Sequence, residues 1–214
     1  MLRALVEAFE AGRFVAEANI QRYRRILADA PGEIIRGQVE TLLNEEQARL
    51  AAGQVAQWNA QLAIFAELLD EAVAVTGADL GNLQVVDPAT GALRIVANRG
   101  FDVSFLNFFA VVRNDGDSAC GAALKHAGCV MVPDVDQSPI FAGKPSGQVL
   151  RAAGIRAVQS TPILGRTDSL IGMISTHWYA ACMPSDYQQK RLDLMIPSVA
   201  AAIEAVLART APGI

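Results

Sequence analysis

Apolar positions follow a helical spacing through the first third of the chain and a strand spacing through the rest. Leu2, Leu5 and Phe9, and later Ile20, Tyr23 and Leu27, step by three or four residues, and Pro31-Gly32 ends this segment. A second helix is predicted from Glu33 to Val75. Its later half places Val55, Trp58, Leu62, Phe65, Leu69 and Ala72 at alternating steps of three and four, which makes a heptad seam. A helix of that length needs a partner for its stripe, and a second copy of the chain is the expected one.

From Leu80 the period shortens to that of strands. Leu83 to Val86 and Leu93 to Ala97 read as an antiparallel hairpin joined by Asp87-Pro88-Ala89-Thr90-Gly91. Phe105, Leu106, Phe108 and Phe109 form a short apolar helix, and a further helix starts at Ser118, with Lys125, His126 and Gly128 suited to its end. A strand through Cys129 to Val132, a loop from Pro133 to Gly147 and a short helix from Gln148 to Ala153 follow. Strands Ile155–Ile163 and Ser169–Trp178 are joined at Gly165-Arg166-Thr167-Asp168. Ser185 and Gln188 make a capping box for a final helix, in which Leu192, Met195, Val199, Ile203 and Val206 share one side and Pro197 is expected to introduce a kink.

Charge type supports the same division. Residues 1–76 hold nine Glu and two Asp, whereas residues 77–214 hold one Glu and ten Asp together with eight of the nine prolines. Glu suits helices, whereas Asp and Pro suit caps and turns. The predicted organisation is a helical hairpin extension over 1–50 and a mixed α+β domain over 51–214. With 52% hydrophobic and 19% charged residues the chain can bury a core, and its net charge of −4 provides no positive field for nucleic acid or anionic membranes. The amino terminus meets Glu7 and Glu10 before any run suited to a signal peptide, and no transmembrane helix can be drawn. Three cysteines do not make a disulfide framework, which points to a reducing, cytoplasmic location.

Six segments in order carry a family resemblance: Gly77 to Gln84, Asn98-Arg99-Gly100-Phe101, Gly116 to Gly121, Asp134-Val135, Arg156 to Pro162 and Gly172 to Trp178. Together, over about residues 65–209, they resemble a GAF domain of the kind found in bacterial sensor kinases and related signalling proteins. The resemblance implies a GAF-like, profilin-like central antiparallel sheet with helices on both faces. Helices from the two chain ends would pack on one face, with a small-molecule pocket under loops and short helices on the other. The segments Asn19 to Tyr23 and Leu43 to Leu50 resemble a helical hairpin of small bacterial regulatory proteins.

Polar residues inside predicted strands are costly to bury without partners, so they are the candidates for a site. Alternation pairs Asn82 with Gln84, Gln159 with Thr161, and Ser175 with His177 on common strand faces, and Phe101, Phe105 and Phe108 could wall a pocket. Cys120, two residues after the predicted cap Ser118, is a candidate redox-sensitive thiol. Cys120 and Cys129 also loosely resemble two cysteines of free methionine-(R)-sulfoxide reductase, a GAF-fold enzyme. That family's catalytic third cysteine has no counterpart between Asp136 and Gly147. The cysteine beside a histidine that marks bilin-attaching relatives and the signature of cyclic-nucleotide-binding relatives are also missing, and no metal-ligand spacing is present.

The expectation is a non-enzymatic sensor that binds an unidentified small molecule and forms a homodimer through residues 55–72 and 190–206. Its output would pass to a separate signalling partner. The alternatives are a thiol redox enzyme and a ligand-free dimerisation scaffold.

Overall fold

The computed structural model describes residues 16–17, 19–28, 33–114 and 117–210. The apolar spacing of Leu2, Leu5 and Phe9 lies outside them. The chain divides into two compact units, 1–61 and 62–214, a later division than the 50/51 boundary expected.

In the first unit, residues 19–28 are helical. Ile20 and Val39 are buried, and the Glu46 carboxylate accepts from Asn19 Nδ2 at 3.0 Å and Arg49 Nη1 at 3.2 Å. Pro31-Gly32 precedes the long helix α1 (Glu33–Thr76), which ends at Gly77 with φ +66°, a conformation glycine adopts without penalty.

The second unit contains the sheet. Strands β1 (Leu80–Val86) and β2 (Leu93–Arg99) form the expected hairpin, followed by short helices α2 (Val103–Phe108) and α3 (Ala119–His126). After β3 (Val130–Val132) come α4 (Pro145–Ala152), the hairpin of β4 (Ala157–Leu164) and β5 (Leu170–Trp178), and α5 (Asp186–Thr210). The five strands lie in the order β2-β1-β5-β4-β3, and each neighbouring pair is antiparallel.

Local signals account for the helix ends. Asp102 accepts from Phe105 N at 2.8 Å, and Ser118 from Gly121 N at 3.0 Å, each satisfying an N–H that its helix leaves unpaired. The left-handed residue that stops α3 is Ala127, at φ 49°, one position before the expected Gly128. The capping box at the start of α5 forms as expected, with Ser185 N donating to Gln188 Oε1 at 2.9 Å and Gln188 N to Ser185 Oγ at 3.3 Å. Gln188 Nε2 also reaches the Thr76 carbonyl at 2.9 Å. The helix continues through Pro197 to Thr210.

Two apolar clusters form, one on each face of the sheet. Leu80, Phe105, Phe109, Phe141, Leu150, Val158 and Met173 belong to one, beneath the short helices. Phe65, Leu69, Ala72, Leu83, Ile163, Ile174, Leu192, Val199 and Ile203 belong to the other. The stripe expected to meet a second copy is therefore used within the chain: Phe65, Leu69 and Ala72 are at most 1% exposed, as are Leu192, Val199 and Ile203. The sheet needs a cover for its apolar face, and these two helices supply it. The side chains of Val55 and Trp58 lie outside the described residues.

The helices seat closely because two strand positions lack a side chain. A Cβ on Gly81 would stand 2.7 Å from Val73 Cγ2, and one on Gly172 would stand 2.7 Å from both Ile203 Cδ1 and the Gln84 carbonyl oxygen. The Gln84 carbonyl is backbone and cannot rotate away. Gly172→Ala should thus lower the unfolding free energy by about 2 kcal/mol, as overpacked cores do. Urea denaturation checks this against Gly37→Ala, where nothing lies within 4 Å and no such loss is expected.

Candidate functional site

The cross-strand registers decide which polar side chains meet. Asn82 pairs with Ser175, and Ser175 with Ser160, so these three form one row across β1, β5 and β4. His177 stands opposite Leu80 on one side and Val158 on the other. All of these residues, with Gln84 two positions along β1, face the short helices.

A small cavity of about 20 Å³ lies there, lined by Asn82, Gln84, His177 and Cys120 under Phe105 and Phe109. That volume holds about one water molecule. Asn82 Oδ1, Gln84 Oε1 and His177 Nδ1 are all buried without a hydrogen-bond partner. Burial holds the His177 imidazole far below its ordinary pKa, at about 3, against the opposing effect of a backbone hydrogen bond at Ser175. The ring is thus neutral at physiological pH, and its bare nitrogen is an acceptor.

Aromatic rings cover this group. Phe101 stacks on Phe105 with centroids 3.9 Å apart, and His177 meets both edge-on, at 5.0 and 5.9 Å. Phe109 packs on Phe105 at 4.7 Å. Phe108, an expected wall, is 45% exposed and instead packs edge-on against the outer side of Phe109. Phe109, Phe141 and Leu150 supply wall that the sequence reading did not select. Phe109 could have been found, since it lies one helical turn after Phe105 in the same apolar cluster.

Cys120 lies in this group as a buried thiol. Its Sγ is 3.0 Å from Ser175 Oγ and receives a hydrogen bond from Ser160 Oγ at 3.4 Å, and the two serine hydroxyls are 3.0 Å apart. Burial raises its pKa despite these hydrogen bonds, so the thiolate expected at the helix start is disfavoured. Helix position alone favours the anion, but loss of solvent outweighs it here.

Gln159 and Thr161 do not join the cavity. Because Ser160 pairs with Ser175, its two neighbours on β4 point to the opposite face. There Gln159 Nε2 donates to Thr161 Oγ1 at 3.0 Å and to Gln189 Oε1 of α5 at 2.8 Å. Cys129 Sγ lies 3.9 Å from Thr161 Oγ1, on that same face. The Cys120 and Cys129 thiols thus sit on opposite sides of the sheet, which does not suit a resolving pair. A concavity of about 770 Å³ is an open groove beside α5 that includes Cys129, Thr161 and Asp193. None of the partnerless buried atoms belongs to the residues lining it.

Among the described residues, no group of three His, Cys, Asp or Glu side chains could hold a metal ion, and no helix is long and apolar enough to cross a membrane. Asp134 and Arg156 serve the fold: Arg156 Nη2 donates to both Asp134 oxygens at 3.1 Å, and the backbone N–H of Asp136, with this pairing, lowers the pKa of the Asp134 carboxyl.

Comparison with solved structures finds the same fold at low identity. A GAF domain of a phosphoenolpyruvate-protein phosphotransferase from Coxiella burnetii superposes with a TM-score of 0.58 at 12% identity, covering 94% of this chain and 99% of that one. A domain of a putative two-component sensor histidine kinase from Sinorhizobium meliloti gives 0.56 at 18% identity, covering 70% and 96%. The type II free methionine-R-sulfoxide reductase of Thermoplasma acidophilum gives 0.56 at 15%, covering 69% and 95%. No curated protein matches. The model of the GAF domain family matches residues 62–204, which are most of the chain and nearly all of its second compact unit. With sheet order, covering helices and sequence in agreement, the chain belongs to the GAF domain family.

Proposed function

We propose that this GAF domain is a non-enzymatic sensor. It takes up a small molecule bearing hydrogen-bond donors between the sheet and the short helices, and it relays the event through α1 and α5 to a separate protein. The observation that carries this reading is the convergence of three partnerless acceptors, Asn82 Oδ1, Gln84 Oε1 and His177 Nδ1, on one aromatic-walled cavity. Each buried, unmet polar atom costs about 1–3 kcal/mol, and a ligand N–H or O–H would recover that cost.

A cavity of about 20 Å³ admits a metabolite only when its cover moves. Helix α2 suits that movement: it has six residues, only Phe105 of which is buried, and Val103 is 71% exposed. Binding would then shift a population between closed and open forms by as much as the ligand prefers the open one. Phe65, Leu69 and Ile203 rest on the back of the sheet whose front carries Asn82, Gln84 and His177, so a change at the strands bears directly on the helices.

The thiol-enzyme reading is disfavoured by the raised Cys120 pKa and the opposite facing of Cys129. The scaffold reading would leave one water in the cavity and no exchangeable ligand. Thermal-shift screening of metabolites, with mass spectrometry of molecules released from the protein, separates the two. The sensor should gain melting temperature with a compound class. Gln84→Leu should lose that response while stabilising the free protein by about 1–2 kcal/mol, by removing an unmet acceptor. Absence of any bound molecule or response would leave the scaffold.

The neutral His177 carries a pH signature. Its folded pKa of about 3 lies below the ordinary 6.5, so the unfolded chain takes up the proton first, and stability falls as pH drops through 6.5 toward 3. Between pH 7 and pH 5 this group should account for about 2 kcal/mol of loss. Denaturation curves of His177→Phe at the two values should lack that component.

Self-association belongs to the same proposal, but on the outward side of α5, where Tyr187 and Leu194, seven residues apart, are 69% and 80% exposed. Light scattering at micromolar concentration should read two chain masses, and one for Leu194→Asp. A single mass for the unaltered chain removes the dimer.

A further inference from the structure

Next to the small cavity lies a second pocket, of about 220 Å³, which shares Phe109 and Ser118 with it as a common wall. Its remaining lining includes Phe108, Arg113, Pro145 and Ser146. Two helices begin here. Ser118 is the cap of α3, and Pro145 and Ser146 are the first two residues of α4.

The two helix starts differ in one respect. The N–H of Gly121 in α3 is met by the Ser118 hydroxyl, whereas Lys144, at the cap position of α4, makes no side-chain hydrogen bond to its helix. The N–H groups of Ser146 and Gly147 therefore lie in an uncapped first turn, where the backbone has no internal acceptor to offer and the helix dipole favours negative charge. Ser146 itself provides the second, independent sign. Its side chain is 3% exposed, its Oγ is buried without a partner, and it lines the pocket.

Among the described residues, charge at the pocket has the matching sign. Arg113 is exposed on its wall, and Lys144 Nζ lies 2.8 Å from Asp117 Oδ1, so the carboxylate at this pocket is already matched by a cation. Arg113 adds a further positive charge. The apolar side, formed by Phe108, Phe109 and Val112, leads toward the wall shared with the inner cavity.

We propose that this outer pocket binds the anionic group, carboxylate or phosphate, of a small organic molecule, held by the first turn of α4, the Ser146 hydroxyl and Arg113. This rests on the sensor reading: the donor-bearing end of the same molecule would pass Phe109 to reach Asn82, Gln84 and His177. The ligand is then a bifunctional small molecule, with an acid at one end and N–H or O–H groups at the other.

The test is an amide-resolved NMR titration of the full chain with inorganic phosphate, acetate and chloride at matched ionic strength. Saturable shifts at the amides of Ser146 and Gly147 with phosphate or acetate, absent with chloride, are expected. Saturation with phosphate alone assigns a phosphate ligand, and with acetate alone a carboxylate. Arg113→Gln and Ser146→Ala should each weaken the response about fivefold, the effect of losing one charge-assisted or helix-end contact. Arg113 is exposed, so its variant keeps the test valid should Ser146→Ala fold poorly. Shifts that are linear, that chloride reproduces, or that neither variant changes would overturn the proposal. Repeating the titration with Gln84→Leu separates the two readings. Phosphate or acetate saturation that persists there while metabolite screening finds no ligand leaves the outer site standing and removes the inner one. A bound neutral metabolite with no anion response does the reverse.

Discussion

The seating of two helices against a sheet at positions with no side chain is the constraint on which the rest of this domain depends. Gly81 and Gly172 let Val73 and Ile203 approach the strands to distances that any Cβ would forbid. That contact gives one face of the sheet to apolar helix packing. By strict alternation, the side chains two positions apart on the other face must then share a space. Asn82 and Gln84 on β1 and Ser175 and His177 on β5 are forced together beneath the short helices for this reason.

The two faces are built on different terms. On the helix face Gln159 has Thr161 and Gln189, Gln188 has the Thr76 carbonyl, and one buried hydroxyl, Thr176 Oγ1, is left bare. On the other face the Cys120, Ser160 and Ser175 group satisfies itself, whereas three acceptors around it are left bare. A well-packed domain has few such atoms, and here three of them fall on one cavity under aromatic rings at a six-residue helix. These bare acceptors cost folding stability, and they lie on the side of the sheet opposite the two covering helices.

Much of this was legible in local pattern. The long helix from Glu33, both hairpins, the caps at Ser118 and Ser185, and the family resemblance over the second compact unit all follow from residues close together in the chain. That Asn82 shares a face with Gln84, and Ser175 with His177, was also visible, since alternation within one strand is local. Gln159 and Thr161 were misplaced because alternation along β4 cannot say which of its two sets matches the polar set of β5. The pairing of Ser160 with Ser175 decides that, and it is a contact between residues fifteen positions apart. The heptad seam was read correctly as a stripe needing a cover, but its partner proved to be the chain's own sheet at Phe65, Leu69 and Ala72.

The sequence by itself determined the order of elements, the fold family and the identity of the polar strand residues, because periodicity, capping and turn chemistry act over a few positions. Tertiary structure alone decided three things: which face each strand turns to its neighbour, that Cys120 loses water and with it the helix-start activation of its thiol, and that the cavity has about the volume of one water. Each depends on register between distant strands and on what covers them, and a one-residue change of register would send every side chain of a strand to the opposite face.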